Sequence, residues 1–325
     1  MKAIVCSSFG PPSNLEFKDV PDPIPADDEI LIKVHACGIN FPDTLIIQGL
    51  YQFKPEFPFS PSGDIAGVVE AVGSAVKHLK VGDTVIAMTT YGGMAEKAVA
   101  KASVTFPKPP GMPMVNAASF MIAYGTSYHA LVDRAELKEG ETLLVLGASG
   151  GVGLSAVEIG KHLGAHVIAA ASTAEKLALC EKHGADEFIN YTEVNLKEKV
   201  KELTNGKGVD VIYDPVGGDF SEQALRAIAW KGRHLVVGFA AGSIPKIPLN
   251  LALLKGCSIV GVFWGSFAQR NPKKNMQNTM DLLQLFTKGI LKPHIHKIYS
   301  LEEGPQALVD MMERKVKGKA VVSIV

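Results

Sequence analysis

The segment ETLLVLGASGGVG (Glu141–Gly153) decides how the chain is read. A short apolar strand runs into a glycine-rich turn, and VGLSAVEIGKHLG continues it as a helix. Such a turn must be tight, and the backbone N–H groups at the helix start must approach any pyrophosphate closely. A side chain larger than hydrogen blocks that approach. The strict pattern GxGxxG is absent, because Ser149 stands at the second glycine position. A merely structural turn would not need three glycines in the four residues Gly150–Gly153. The strand–loop–helix context therefore makes dinucleotide binding the expected role of Ser149, Gly150, Gly151, Val152 and Gly153.

Outward from this turn the pattern repeats. HVIAAAS (His166–Ser172), EFIN, VDVIYDPVGG (Val209–Gly218), RHLVVGFA (Arg233–Ala240) and SIVGVFW (Ser258–Trp264) read as further apolar strands. Helical stretches separate them: AEKLALCEKHGA, Leu196–Leu203, and one near Phe220–Trp230. Strands apolar on both faces, alternating with helices, mean a parallel sheet covered on both sides. The prediction is α/β: a doubly wound parallel-sheet Rossmann domain over residues 121–265. The first 120 residues read differently. EILIKVHACGI (Glu29–Ile39), GDIAGVVEAVG (Gly63–Gly73) and VGDTVIAM (Val81–Met88) are β-rich runs, punctuated by PDPIP and FPKPPGMP. A helix near Asn275–Lys288 and a final strand, KAVVSIV, suggest that residues from about 266 to 325 complete this β-rich domain.

The 325 residues suffice for two such domains. Thirty-three basic side chains balance thirty-three acidic ones, so charge argues for neither nucleic acid nor an anionic membrane as partner. No apolar run has the length of a bilayer span, and MKAIVCSSFG lacks the apolar core of a signal peptide. A cytoplasmic location is expected. Cys6, Cys37, Cys180 and Cys257 are scattered with no CxxC pair, as expected of free thiols and not of a structural zinc cluster.

The end of the second strand selects the cofactor. NAD sites place an acid about 20 residues after the glycines to bind the ribose hydroxyls. Here that place reads Ala171, Ser172, Thr173, and Lys176 follows one turn on. Nothing there repels a 2′-phosphate; two hydroxyls and an ammonium can hold it. NADPH is the expected cofactor, with Tyr191, after the third strand, a further candidate contact.

Several segments resemble the medium-chain dehydrogenase/reductases: MKAIV, EILIKVHACGINFPD, PSGDIAGVVEAVG, VGDTV, AYGTSYHAL, LGASGGVG, NYTE, VDVIYDPVGG and GKAVVSIV. Within that superfamily, GINFPD and the glycine loop look like the zinc-free NADPH:quinone oxidoreductases, the zeta-crystallin-like branch. The resemblance implies a GroES-like first domain, a Rossmann second domain and a homodimer, for which the apolar sixth strand offers an edge. Zinc alcohol dehydrogenases of this superfamily carry a Cys after Gly-Ile or Gly-Val and a His-Glu pair before the Gly-Val-Val strand. Asn40 and Gly63–Asp64 stand at those places here, and the lobe with four clustered cysteines is missing. No metal is expected. His35 and Cys37, i and i+2 on one strand, face the same side but are too few to ligate.

Without a Lewis acid, hydride delivery to an already electron-poor acceptor is the accessible chemistry. Quinones and α,β-unsaturated carbonyls fit, and the protein then supplies proximity, orientation and a polar contact to the carbonyl. By resemblance, Asn40, Asp43 and Tyr51 line the substrate site. Asn40 would bind a cofactor ribose or a carbonyl, Tyr51 would donate to a developing oxyanion, and Asp43 would orient or cap more than exchange protons. Thr126 resembles the family's nicotinamide-side threonine. Gly238, Phe239, Ala240, Val262, Phe263 and Trp264 end the fifth and sixth strands, where ligands of such sheets bind. His129 and His162 are read as surface or packing residues, and Arg314–Lys319 as a solvated helix end. Two alternatives stay open. One is an enoyl-thioester reductase of the same superfamily. The other is a non-catalytic NADPH-binding protein of structural or RNA-binding role, against which the lack of an aromatic–basic platform argues.

Overall fold

The computed structural model describes residues 1–324 and divides into two compact units: Met1–Ile122 with the chain from Pro293 onward, and Ala123–Lys292. The first unit opens with β1 (Lys2–Val5) paired antiparallel to β2 (Glu16–Asp19). Then come β3 (Glu29–Ile39), helix α1 (Phe41–Ile46), β4 (Asp64–Val72), β5 (Thr84–Met88), β6 (Lys97–Lys101), β7 (Thr105–Pro107) and α2 (Met114–Ala117). Along the first half of β3 the pattern alternates, with Ile30, Ile32 and Val34 fully buried and Lys33 exposed. From Ala36 onward both faces are covered. Gly38 shows how closely: a Cβ there would lie 2.0 Å from the carbonyl oxygen of Ala118.

Helix α3 (Met121–Tyr128) leads into the second unit, and a π-helical turn, His129–Arg134, follows it. Six parallel strands then alternate with helices: β8 (Thr142–Leu146), α4 (Gly151–His162), β9 (His166–Ala171), α5 (Ala174–Lys182), β10 (Glu187–Asn190), α6 (Leu196–Leu203), β11 (Val209–Asp214), α7 (Gly218–Arg226), β12 (Ile228–Val236), α8 (Asn250–Lys255) and β13 (Ser258–Gly261). Their order across the sheet is β10-β9-β8-β11-β12-β13, which is the doubly wound dinucleotide-binding order. Leu143–Leu146 are buried on both faces of the central strand, as a parallel sheet flanked by helices requires. Helices α9 (Trp264–Arg270) and α10 (Pro272–Thr287) complete this unit. The chain re-enters the first unit at Pro293, later than the expected 266, with β14 (Ile295–Tyr299), α11 (Gly304–Met312) and β15 (Lys319–Ser323). There β15 pairs antiparallel with β3, giving the order β14-β15-β3-β4-β5-β7, with β6 also on β3.

Three sequence expectations shift. The helix expected to reach Trp230 ends at Arg226, because Ile228 already pairs with Val209 at the start of β12. The strand expected to reach Ala240 ends at Val236; the next N–H groups, of Val237 and Gly238, turn to the carbonyl oxygen of Asp214. Finally, the strand expected over Ser258–Trp264 stops at Gly261, and Trp264 opens α9. No helix among the described residues is long and apolar enough to cross a membrane.

Candidate active site

The second unit's constellation is built on the turn between β8 and α4. Gly147 has φ 57°, a left-handed conformation that glycine adopts without steric cost. Its carbonyl accepts from Gly150 N at 3.0 Å. Gly150 is the N-cap of α4 and Gly151 its first residue. At Gly153 a Cβ would lie 2.3 Å from the Gly147 oxygen and 2.7 Å from that of Ala148. This glycine therefore lets the helix start against the strand end. Ser149 is buried, and Val152 is half-buried.

Beneath this turn lies a polar network that the sequence reading missed. Ser127 Oγ lies 2.7 Å from Tyr213 Oη and 2.9 Å from Ser155 Oγ, and it donates to the Val152 carbonyl at 2.9 Å. These hydroxyls tie α3, α4 and β11 together under the first turn of α4. Single hydroxyls on separate elements carry no spacing signal. Thr126, one residue before Ser127 on α3, is half-buried.

At the carboxyl end of β9, Thr173 caps α5: its Oγ1 accepts from Lys176 N at 3.2 Å. Lys176 Nζ donates to Ser172 Oγ at 3.1 Å. The expected hydroxyls and ammonium thus sit side by side. Tyr191 packs its ring 4.5 Å from that of Phe220, between centroids.

Asp214, at the end of β11, shapes the neighbouring loop. Oδ1 accepts from Val216 N and Gly217 N, each at 2.9 Å; Oδ2 accepts from Ser221 Oγ and lies 3.1 Å from His234 Nε2. Burial would push this carboxyl up, but the bond and charge of His234 and the amide bond from Gly217 outweigh it and hold the pKa below its ordinary value. The loop it braces packs on the β12 end: Ala240 N donates to the Pro215 carbonyl at 3.1 Å, and Phe239 covers Gly217. Gly238, Phe239 and Ala240 are all partly exposed there. Of the β13-end candidates, Val262 is buried and Phe263 is 54% exposed. Trp264 turns inward: its Nε1 donates to Asn275 Oδ1 at 3.0 Å and its ring lies over Gly125. His129 is buried, 2.8 Å from Asp133 through Nδ1.

The first unit's constellation gathers at the end of β3. Asn40 is the N-cap of α1; its N–H donates to Asp43 Oδ2 at 2.7 Å, the capping role expected of Asp43. Asn40 Oδ1 accepts from Lys319 Nζ at 2.5 Å. The same ammonium donates to the Ile39 carbonyl at 2.9 Å and lies 3.8 Å from Asp64 Oδ2. Lys319 is 4% exposed. The sequence reading placed it both at a solvated helix end and at the start of the final strand; the strand is found, and the solvated end is corrected: α11 stops at Met312, and Lys319, the first residue of β15, is carried inward by pairing with β3. Burial pushes the Asp43 carboxyl up to about 7, against the Asn40 amide and the Lys319 charge. It likewise pushes Asp64 up to about 6, opposed first by Lys319. Burial drives Lys319 down, opposed by the Asp64 and Asp43 charges. Tyr51 is half-buried against this unit's core; burial and the Asp43 charge raise its phenol.

These residues do not fit a catalytic zinc ion. At the two places where metal ligands would stand, Asn40 offers an amide and Gly63 no side chain, while Asp64 already faces an ammonium. Cys37 is fully buried, and burial pushes its thiol far up. No group of three or more His, Cys, Asp or Glu among the described residues could hold a metal.

The two units match two family models. Residues 26–110 match the alcohol dehydrogenase GroES-like domain, and residues 151–284 match the zinc-binding dehydrogenase model. With the doubly wound sheet, this defines a medium-chain dehydrogenase/reductase. The chain is 39% identical over 324 residues to the quinone oxidoreductase-like protein 2 homolog of Nematostella vectensis, covering 99% of this chain and 88% of that one. The Escherichia coli quinone oxidoreductase complexed with NADPH matches with a TM-score of 0.93 at 29% identity, covering 100% of both chains. The CurK enoyl reductase matches with a TM-score of 0.90 at 26% identity, covering 100% of this chain and 99% of that one. The chain belongs to the quinone oxidoreductase family of the medium-chain dehydrogenase/reductases, and it is an oxidoreductase.

Proposed function

We propose that this protein is an NADPH-dependent reductase that delivers hydride, without zinc, to a quinone or an α,β-unsaturated carbonyl. The observation that carries the reading is the cluster of Asn40, Asp64 and Lys319. Its residues supply an amide, a paired carboxylate and an ammonium where an alcohol dehydrogenase needs a Lewis acid. An acceptor that stabilises the incoming electron pair by conjugation needs no such help.

NADPH, when bound, supplies the hydride. Lys176 and Ser172 would hold its 2′-phosphate, and the N–H groups after Gly150 would take its pyrophosphate. Asp214 braces the turn after β11 and Ser127 the first turn of α4, the two turns that would border it. Tyr51 offers its phenol to the oxygen that gains charge during reduction; burial and the Asp43 charge raise its pKa above the ordinary value. Two copies join through the β13 edge, where Ile259 and, just past the strand, Phe263 are exposed and the strand has no outer neighbour among the described residues. Four free cysteines, three of them buried, suit a reducing cytoplasm.

A second reading, enoyl-thioester reduction, is favoured by the likeness to the CurK enoyl reductase. Initial-rate NADPH oxidation by chelator-treated protein separates the two, with an ortho-quinone, an alkenal and a crotonyl thioester run in parallel and NADH as control. Chelator-resistant turnover of the quinone or alkenal with a preference for NADPH is expected. Turnover of the thioester alone supports the second reading, and activity that needs added zinc overturns the metal-free one.

A further inference from the structure

Lys319 is the one lysine that the fold buries among the described residues, and its surroundings are unusual for a stabilising ion pair. Two segments far from it in sequence meet at its ammonium: the turn from β3 into α1, through the Ile39 carbonyl and Asn40 Oδ1, and the start of β4, through Asp64. Asp64 is fully buried, and its Oδ1 meets no donor in good hydrogen-bond geometry, although the Met121 and Ile122 amides lie near enough to lower its pKa. A half-satisfied buried carboxylate is worse for stability than an apolar core. Stability alone therefore gives no reason for this pair. The orientation of Asn40 does. An ammonium can only donate, so the atom facing Nζ at 2.5 Å must be the amide oxygen. The contacts of Nδ2, to the Gly38 carbonyl at 3.3 Å and Asp64 Oδ2 at 3.4 Å, are long. The side chain is thus held by its oxygen end, and Lys319 decides where its amide points.

We propose that Lys319 is the resident cation of this site: its ammonium, delivered by the last strand, holds the fixed positive charge among Asp64, Asp43 and Asn40, and acts as the positioning residue for Asn40. The part of the test that reads turnover rests on the reduction proposed above; the part that reads melting does not.

The experiment is chemical rescue of Lys319→Ala. The truncated side chain leaves room for propylammonium, which rebuilds the missing length, beside Asn40 Oδ1, the Ile39 carbonyl and the two carboxylates. Full-length variant and parent are melted, and assayed with NADPH and an ortho-quinone, in rising propylammonium chloride. Tetramethylammonium chloride, which cannot donate a hydrogen bond, matches the ionic strength. Lys319→Ala is expected to melt lower, to lose about tenfold in kcat with the KM for NADPH within about twofold, and to recover both losses saturably with propylammonium alone, given that 1.4 kcal/mol corresponds to tenfold. The parent should respond to neither salt. Equal effects of the two salts, or a loss of stability with kcat unchanged, overturns the proposal. If Lys319→Ala does not fold, Lys319→Arg is compared with Lys319→Met. Arginine keeping activity where methionine loses it supports the proposal, and equal behaviour of the two refutes it. A parent that fails to oxidise NADPH with any of the acceptors refutes the proposed reaction and leaves melting rescue to decide the cation.

Discussion

Replacing Lys176 by alanine tests the cofactor assignment most directly. Its Nζ lies 3.1 Å from Ser172 Oγ at the carboxyl end of β9, where a cofactor carrying a 2′-phosphate would meet both groups. A hydrogen bond to a charged group contributes about 1.5–3 kcal/mol. Lys176 is half-buried, so salt screens its pairing less than that of a freely exposed lysine. Loss of one such bond then raises the KM for NADPH about 10- to 100-fold. NADH carries a hydroxyl at that place, and its kinetics should change by less than about twofold. The backbone should not suffer, because the Lys176 N–H stays bonded to Thr173 Oγ1 in any residue but proline. The assay is initial rate against each cofactor at fixed quinone, at low and moderate salt, with the melting temperature as control. Ser172→Asp gives the converse test: a carboxylate there repels a 2′-phosphate and can take ribose hydroxyls, so preference should move toward NADH. An equal loss for both cofactors in Lys176→Ala, with melting unchanged, refutes the assignment.

Three further outcomes follow from the geometry. Gly153→Ala drives a Cβ to 2.3 Å from the Gly147 carbonyl oxygen. It should cost about 1–3 kcal/mol, visible as a lower melting temperature, together with a higher KM for both cofactors; unaltered melting would show that the turn can yield. Tyr51→Phe should lower kcat about 10- to 100-fold with little change in cofactor KM, measured by steady-state kinetics, and an unchanged kcat removes the phenol from the reaction. Burial pushes Asp43 up to about 7 against an ordinary value of 3.8. Between those values the folded chain holds a proton that the unfolded chain has released, so stability falls as pH rises from about 4 to about 7. Asp43→Asn should reduce that slope to the part that Asp64, raised to about 6, contributes, and a slope equal to the parent's would locate the titration elsewhere.

The second unit's alternation of strands and helices was legible because each βα repeat carries its own apolar run and glycine punctuation, and parallel strands buried on both faces write themselves as uninterrupted apolar stretches. The glycine turn and the missing acid after β9 were legible for the same reason: tight turns and ribose recognition depend on residues close together in sequence. The first unit's β-runs were visible too, but not their partners. Element ends were read less well. Trp230 and Trp264 fell on the wrong side of a boundary, because pairing with Val209 and a hydrogen bond to Asn275 override local preference.

What only the tertiary structure decided are the long-range polar contacts. Ser127 meets Tyr213, and Asp214 meets Ser221 and His234, with no spacing rule to announce them. Lys319 is the plainest case. In sequence it closes a basic run, KVKGK, that reads as solvated surface. In the fold, the pairing of β15 with β3 carries its ammonium 279 residues back along the chain to Asn40. Sequence alone determined which residues could form strands, helices and the glycine turn, since those depend on backbone sterics and near neighbours. Which charge is buried, and against what, depends on the dielectric and partners that packing creates.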